Sequence, residues 1–147
     1  MCHEINKNEV MKGQAAIEYF TIISVALLIL IPLVAYLNQL LIGYRDDVRL
    51  TQASEAVKKI GENVDWVFAQ GPPAKRTIRV YIPDGIESIT YPNDDTINFR
   101  IKTSAGYSDV YYVTNTRLEN CNIPTNSGYY YLAIEAFSDH VEINVVS

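Results

Sequence analysis

From Tyr19 to Tyr44 the chain carries no Asp, Glu, Lys or Arg, and Leu, Ile, Val and Ala dominate the run. A helix needs roughly 20 apolar residues to cross a bilayer, and this stretch exceeds that. Beyond it the helical period continues in a different form. Leu50, Ala53, Val57, Ile60, Val64 and Val67 recur at spacings of three and four, with Thr51, Gln52, Glu55, Lys58, Lys59, Glu62 and Asn63 between them. This is the pattern of an amphipathic helix with one apolar face. Gly71-Pro72-Pro73 stops it, because Gly caps a helix C-terminus and Pro forbids continuation. A single helix from Gln14 to Gln70 would reach about 85 Å at 1.5 Å per residue. The remaining chain cannot cover that length, so the apolar half needs lipid or an assembly around it. Pro32 removes one backbone donor and predicts a kink; Gly43 and Gly61 are further candidate bends.

After Pro73 the period changes to two. Ile78, Val80 and Ile82 alternate with Thr77, Arg79 and Tyr81, and Ile97, Phe99 and Ile101 with Asn98, Arg100 and Lys102. Leu132, Ile134 and Ala136 repeat the pattern, as do Val141, Ile143 and Val145. Alternation of this kind belongs to antiparallel strands with one face inward and one wet. Turn residues at Pro83-Asp84-Gly85, Pro92-Asn93-Asp94-Asp95, Ser104-Ala105-Gly106, Asn126-Ser127-Gly128 and Ser138-Asp139 separate them. Strands are predicted near 77–82, 87–91, 96–103, 107–114, 129–137 and 140–146. The fold class is therefore α+β: a long N-terminal helix packed through its amphipathic half on a C-terminal antiparallel β-sheet domain.

Composition narrows the function. A net charge of −5, with only Lys58-Lys59 and Lys75-Arg76 as adjacent basic pairs, gives no basic face for a nucleic-acid partner. The two cysteines, Cys2 and Cys121, fall in very different surroundings, and Cys121 reads as a half-buried small residue. The histidines, His3 and His140, form no Ser/His/Asp grouping or paired zinc spacing, and no glycine-rich phosphate loop is present. No enzyme, metal or cofactor is expected. Eight tyrosines fall in the β region, among them Tyr111-Tyr112 and Tyr129-Tyr130-Tyr131. Consecutive strand residues face opposite ways, so some of these tyrosines must point outward, as subunit or surface contacts or simply through β propensity.

The segment before the apolar run carries the remaining signal. Met1 to Gly13 is short, polar and mixed in charge, and it precedes the apolar stretch without the basic, apolar, small-residue order of a secretory signal. Glu18 is the last charge before the run and follows Lys12-Gly13-Gln14. A carboxylate drawn to the bilayer centre costs about 2.5–3.5 kcal/mol on insertion scales, which makes it a functional candidate by default. From the residues alone it could equally rest at the headgroup boundary or favour the helix dipole from the first turn.

Lys12-Gly13-Gln14-Ala15-Ala16-Ile17-Glu18-Tyr19 resembles the processing site of archaeal type IV pilin-like precursors with a class III signal peptide. The resemblance is specific over residues 12–37; in the β region it is one of architecture. It implies a leader at 1–13, a long helix at 14–71 with its apolar segment at 19–44, and a β domain at 74–147. It also implies a structural subunit of a surface filament, made as a prepilin and cut after Gly13 by a membrane prepilin peptidase that reads Lys12, Gly13 and Gln14. The implied partners are other copies of the chain in a helical filament, the peptidase, the pilus assembly platform and membrane lipid before assembly. The implied location is the cell membrane, then the cell surface. Glu18 would pair with the new Gln14 amine of a neighbouring subunit, since either charge alone is costly in an apolar bundle. Bacterial pilins usually present Phe after the cut. Archaeal swimming-filament subunits share Gly-Gln but usually lack the residues matching Glu18 and Tyr19, which favours an adhesive or structural pilus. The alternatives are a minor pilin or pseudopilin, an exported binding module anchored by the same helix, and an uncut single-span protein.

Overall fold

The computed structural model describes residues 14–146, together with the backbone alone of 7–13. Helix α1 runs Lys7–Gln70 as one element with Pro32 inside it. The chain divides into two compact units, Met1–Ile42 and Gly43–Ser147. Among the described residues of the first, the large apolar side chains are all exposed, with Phe20 and Leu28 at 72%. Its serine and threonine turn their hydroxyls onto the backbone: Thr21 Oγ1 donates to the Ile17 carbonyl and Ser24 Oγ to that of Phe20, both at 2.8 Å. Back-bonding of this kind removes a free donor from a surface that must meet apolar surroundings.

In the second unit the same helix buries a face. Ala53, Ala56, Val57, Ile60, Val64 and Val67 are all buried; these are the positions that the three-and-four spacing marks, with Ala56 added and Leu50 only half-buried against the core. Gly71, at φ +72°, ends the helix, and its N–H donates to the Phe68 carbonyl at 2.9 Å. Seven strands follow among the described residues: β1 (Lys75–Ile82), β2 (Ile86–Thr90), β3 (Thr96–Thr103), β4 (Gly106–Val113), β5 (Arg117–Glu119), β6 (Gly128–Ala136) and β7 (His140–Val146). They form two sheets, ordered β1-β6-β7-β5 and β2-β3-β4. The inward residues of both, including Ile82, Phe99, Ile101, Leu132, Ile134 and Ile143, join the helix face in one core. Burying each such large side chain contributes about 1.5–3 kcal/mol. The α+β architecture follows directly from the change of period at Pro73.

Two features depart from the sequence reading. The sheets are not wholly antiparallel: β5 adds a short seventh strand and pairs parallel to β7, Leu118 opposite Val141. The 120–127 connection then returns from the sheet edge past β7 to β6, held by the Asn122 N–H on the Ile143 carbonyl at 2.8 Å and by the buried Ile123. Gly61, read as a bend, lies inside the helix as a packing position. A Cβ there would fall within the Tyr112 ring, so the missing side chain is what lets β4 lie against the helix. Tyr112 completes that contact by donating its hydroxyl to Asp65 Oδ2 at 3.0 Å, and Asp65 Oδ1 accepts the Asn115 N–H at 2.7 Å.

Candidate assembly site

An α-helix stacks residues four apart on one face, and α1 does this with Gln14 and Glu18. Gln14 Nε2 donates to Glu18 Oε1 at 3.5 Å, both side chains exposed. That distance is at the outer limit of a hydrogen bond, so the carboxylate keeps almost all its capacity to accept a stronger donor. The same face continues through Thr21 and Val25, and no other charge occurs before Arg45. Lys12 and Gly13, the other half of the cleavage motif, belong to α1 by backbone alone, while Cys2 and His3 lie outside the described residues. The structure therefore brings Gln14 and Glu18 together and leaves the cleavage bond untouched.

The sequence reading missed a polar clamp at the start of the second unit. Asp46 accepts both the Ser104 N–H, at 2.8 Å, and the Ser104 hydroxyl, in the β3–β4 turn. One helical turn on, Arg49 grips Asp84 in the β1–β2 turn with both Nε, at 3.0 Å, and Nη2, the two-pronged pairing that guanidinium geometry favours. The Ser104 hydroxyl and amide hold the Asp46 carboxyl below its usual range. The hydrogen bond and charge of Asp84 raise Arg49 further. Two turns at the same end of the β2–β3 ladder, where the Lys102 N–H donates to the Gly85 carbonyl at 2.9 Å, are thereby fixed to adjacent turns of α1. Only a charge at helix spacing, Asp46 with Arg49 three residues on, signals this in the sequence.

Cys121 is half-buried, its thiol donating to the Glu119 carbonyl at 3.5 Å. Burial pushes it up to about 11, so little thiolate exists at neutral pH to react. His140 opens β7, stacked on Phe137 with ring centroids 4.8 Å apart and with Nδ1 2.8 Å from Asp139 Oδ1. The tyrosines divide by face as strand geometry requires: Tyr112 and Tyr130 turn toward the core, while Tyr107, Tyr111, Tyr129 and Tyr131 are exposed. Among the described residues no group of three or more His, Cys, Asp or Glu side chains converges to hold a metal ion.

No protein-family model, curated protein or solved structure matches this chain. The long apolar helix near the N-terminus fits the pilin-like shape. It is the one helix among the described residues long and apolar enough to cross a membrane, and none of its most apolar window is buried. Such a helix suits a membrane anchor or a signal sequence.

Proposed function

We propose that the chain is a structural subunit of a type IV pilus-like surface filament, made as a precursor, cut after Gly13 and polymerised through its N-terminal helix. One observation carries the reading. Glu18, the sole charge between Gln14 and Tyr44, stands one turn from Gln14 in a helical stretch, 14–42, whose large apolar side chains are all exposed. An exposed apolar helix requires lipid or other helices around it, and a lone carboxylate there requires a cationic partner.

Before processing, membrane lipid covers the apolar segment. Cutting by a prepilin peptidase creates an ammonium on Gln14. On transfer from the membrane to the filament core, Glu18 accepts that ammonium from a neighbouring copy. The pair fixes axial register rather than adding stability, because desolvating two charges offsets most of their attraction. Ala15, Ala16, Ser24 and Ala26 leave room for close helix approach. The β domain forms the outer surface of the filament, and the role is structural rather than enzymatic.

The deciding experiment is the N-terminal mass of the protein recovered from cells, in membrane and sheared extracellular fractions. A chain beginning at Gln14 and abundant in the sheared fraction supports the reading. The same chain present only sparsely there marks a minor subunit. A chain that retains Met1 and stays in membranes discards the pilin reading in favour of a single-span anchored β domain.

A further inference from the structure

Gln52, Glu55, Ala56 and Lys59 follow one another at helical spacing on α1, and Arg79, Val80 and Tyr81 run along β1. The β1–β6 register sets Tyr129 opposite Tyr81. These residues enclose a groove of about 330 Å³, at the small end of the usual range for ligand sites. Its floor is the buried pair Ala56 and Val80. Its aromatic wall is the Tyr81–Tyr129 pair, ring centroids 4.9 Å apart and inclined at 51°, with Tyr129 still 63% exposed.

Both cations in the groove are already positioned. The Arg79 guanidinium lies 4.1 Å from the Tyr129 ring centroid, a stacking that leaves its in-plane N–H fork free for a carboxylate. Lys59 Nζ donates to the Arg79 carbonyl at 2.8 Å, which covers that point of the β1 edge and holds the ammonium over the groove. Glu55 is the single opposing carboxylate, so the groove carries one excess positive charge. Gln52 and Glu55 add a donor and acceptors on the helix side.

An aromatic platform, an excess cation with a planar fork, and flanking hydrogen-bonding groups match a polyhydroxylated ring bearing one carboxylate. We propose that this groove binds an acidic saccharide, taking one hexuronate residue with its apolar face toward the Tyr81–Tyr129 wall, its carboxylate on Arg79 and its hydroxyls toward Gln52 and Glu55. The site lies within the folded unit of a single chain and stands independently of the filament reading.

The test is calorimetric titration of the unassembled full chain in detergent micelles with trigalacturonate, a neutral galactose trimer and hexaglutamate. Trigalacturonate is expected to bind, with both other probes at least about tenfold weaker, as loss of a charge-assisted contact or of the stacked ring implies. Arg79→Gln and Tyr129→Leu should each weaken it about tenfold, and Gln52→Leu about threefold. Tyr111→Ala, exposed on β4 in the other sheet and outside the groove, should change nothing. Absence of trigalacturonate binding overturns the proposal. So does equal binding of hexaglutamate, or indifference to Tyr129→Leu, since charge alone would then account for the signal. Self-association lost in Tyr129→Leu, without saccharide binding, would reassign the face to contact between copies and likewise overturn it.

Discussion

Residues 14–42 and residues 43–70 belong to one helix yet answer to different surroundings. In the first stretch, Ile17, Phe20, Leu28, Ile31 and Leu41 all stand exposed; in the second, Val57, Ile60, Val64 and Val67 have almost no exposed surface. Among the described residues, long-range polar contacts occur only in the second stretch, although Thr51 and Asn63 there also bond their own helix backbone. Thr21 and Ser24 spend their hydroxyls on their own backbone, whereas Asp46, Arg49 and Asp65 reach strands and turns far along the chain. Helix propensity alone cannot produce this contrast. The first stretch is apolar all round and needs an external apolar partner, while the second is apolar on one face and supplies its own.

The largest effect expected from breaking this contrast concerns Glu18, the one charge on the apolar side. Glu18→Ala should leave processing at Gly13 intact and abolish filaments, read as mature protein accumulating in membranes with none in the sheared fraction. Abundant filaments from that variant would sink the register role. A bulky residue at Gly13 should stop processing altogether, with the intact mass as its signature; a variant still cut at the same bond would remove the steric argument.

Next in size is the core. Phe99→Ala leaves a cavity in a fully buried site and should cost about 3–5 kcal/mol in urea unfolding of the β domain. Leu28→Ala, 72% exposed in the first unit, should leave that transition unmoved. Equal losses from the two changes would erase the distinction between the regions.

What could be read from the sequence follows the range of each interaction. The helix face around Ile60 and the inward residues of β1 and β3 were legible because periodicity is a local property. Glu18 was legible because an apolar context makes one charge conspicuous. β5 escaped because a three-residue strand is too short to show alternation. The clamp escaped because its partners lie 35 and 58 positions apart, a separation no window of sequence contains. Gly61 misled for the same reason. Its purpose is set by Tyr112, on a strand that only the folded chain brings near.

The two helix glycines test this point at smaller amplitude. Nothing lies within 4 Å of a Cβ built on Gly43, so Gly43→Ala should stabilise by up to about 1 kcal/mol through helix propensity alone. Gly61→Ala carries the same propensity gain, yet its methyl meets the Tyr112 ring and should leave a net loss of about 1–2 kcal/mol. Opposite signs in urea unfolding are the expected result. A stabilising Gly61→Ala would mean that β4 can move off the helix freely.

The smallest effect is the pH dependence of the clamp. Because Asp46 is held below its usual value, its carboxylate contributes stability in full above the unfolded value near 3.8. That contribution fades as pH falls through the lower folded value, where protonation weakens both bonds to Ser104 and the attraction of Arg49. Thermal unfolding followed from pH 5 down to pH 2 should therefore show a steeper loss for the natural chain than for Asp46→Asn, which has no charge to lose. Ser104→Ala should remove the hydroxyl partner and shrink the difference while keeping the backbone bond. The change belongs wholly to the second unit: no residue between Tyr19 and Ile42 titrates as an acid in this range, so the helical signal of that stretch should stay flat across the scan. Parallel slopes for Asp46→Asn and the natural chain would show that the clamp holds the turns by shape rather than by charge.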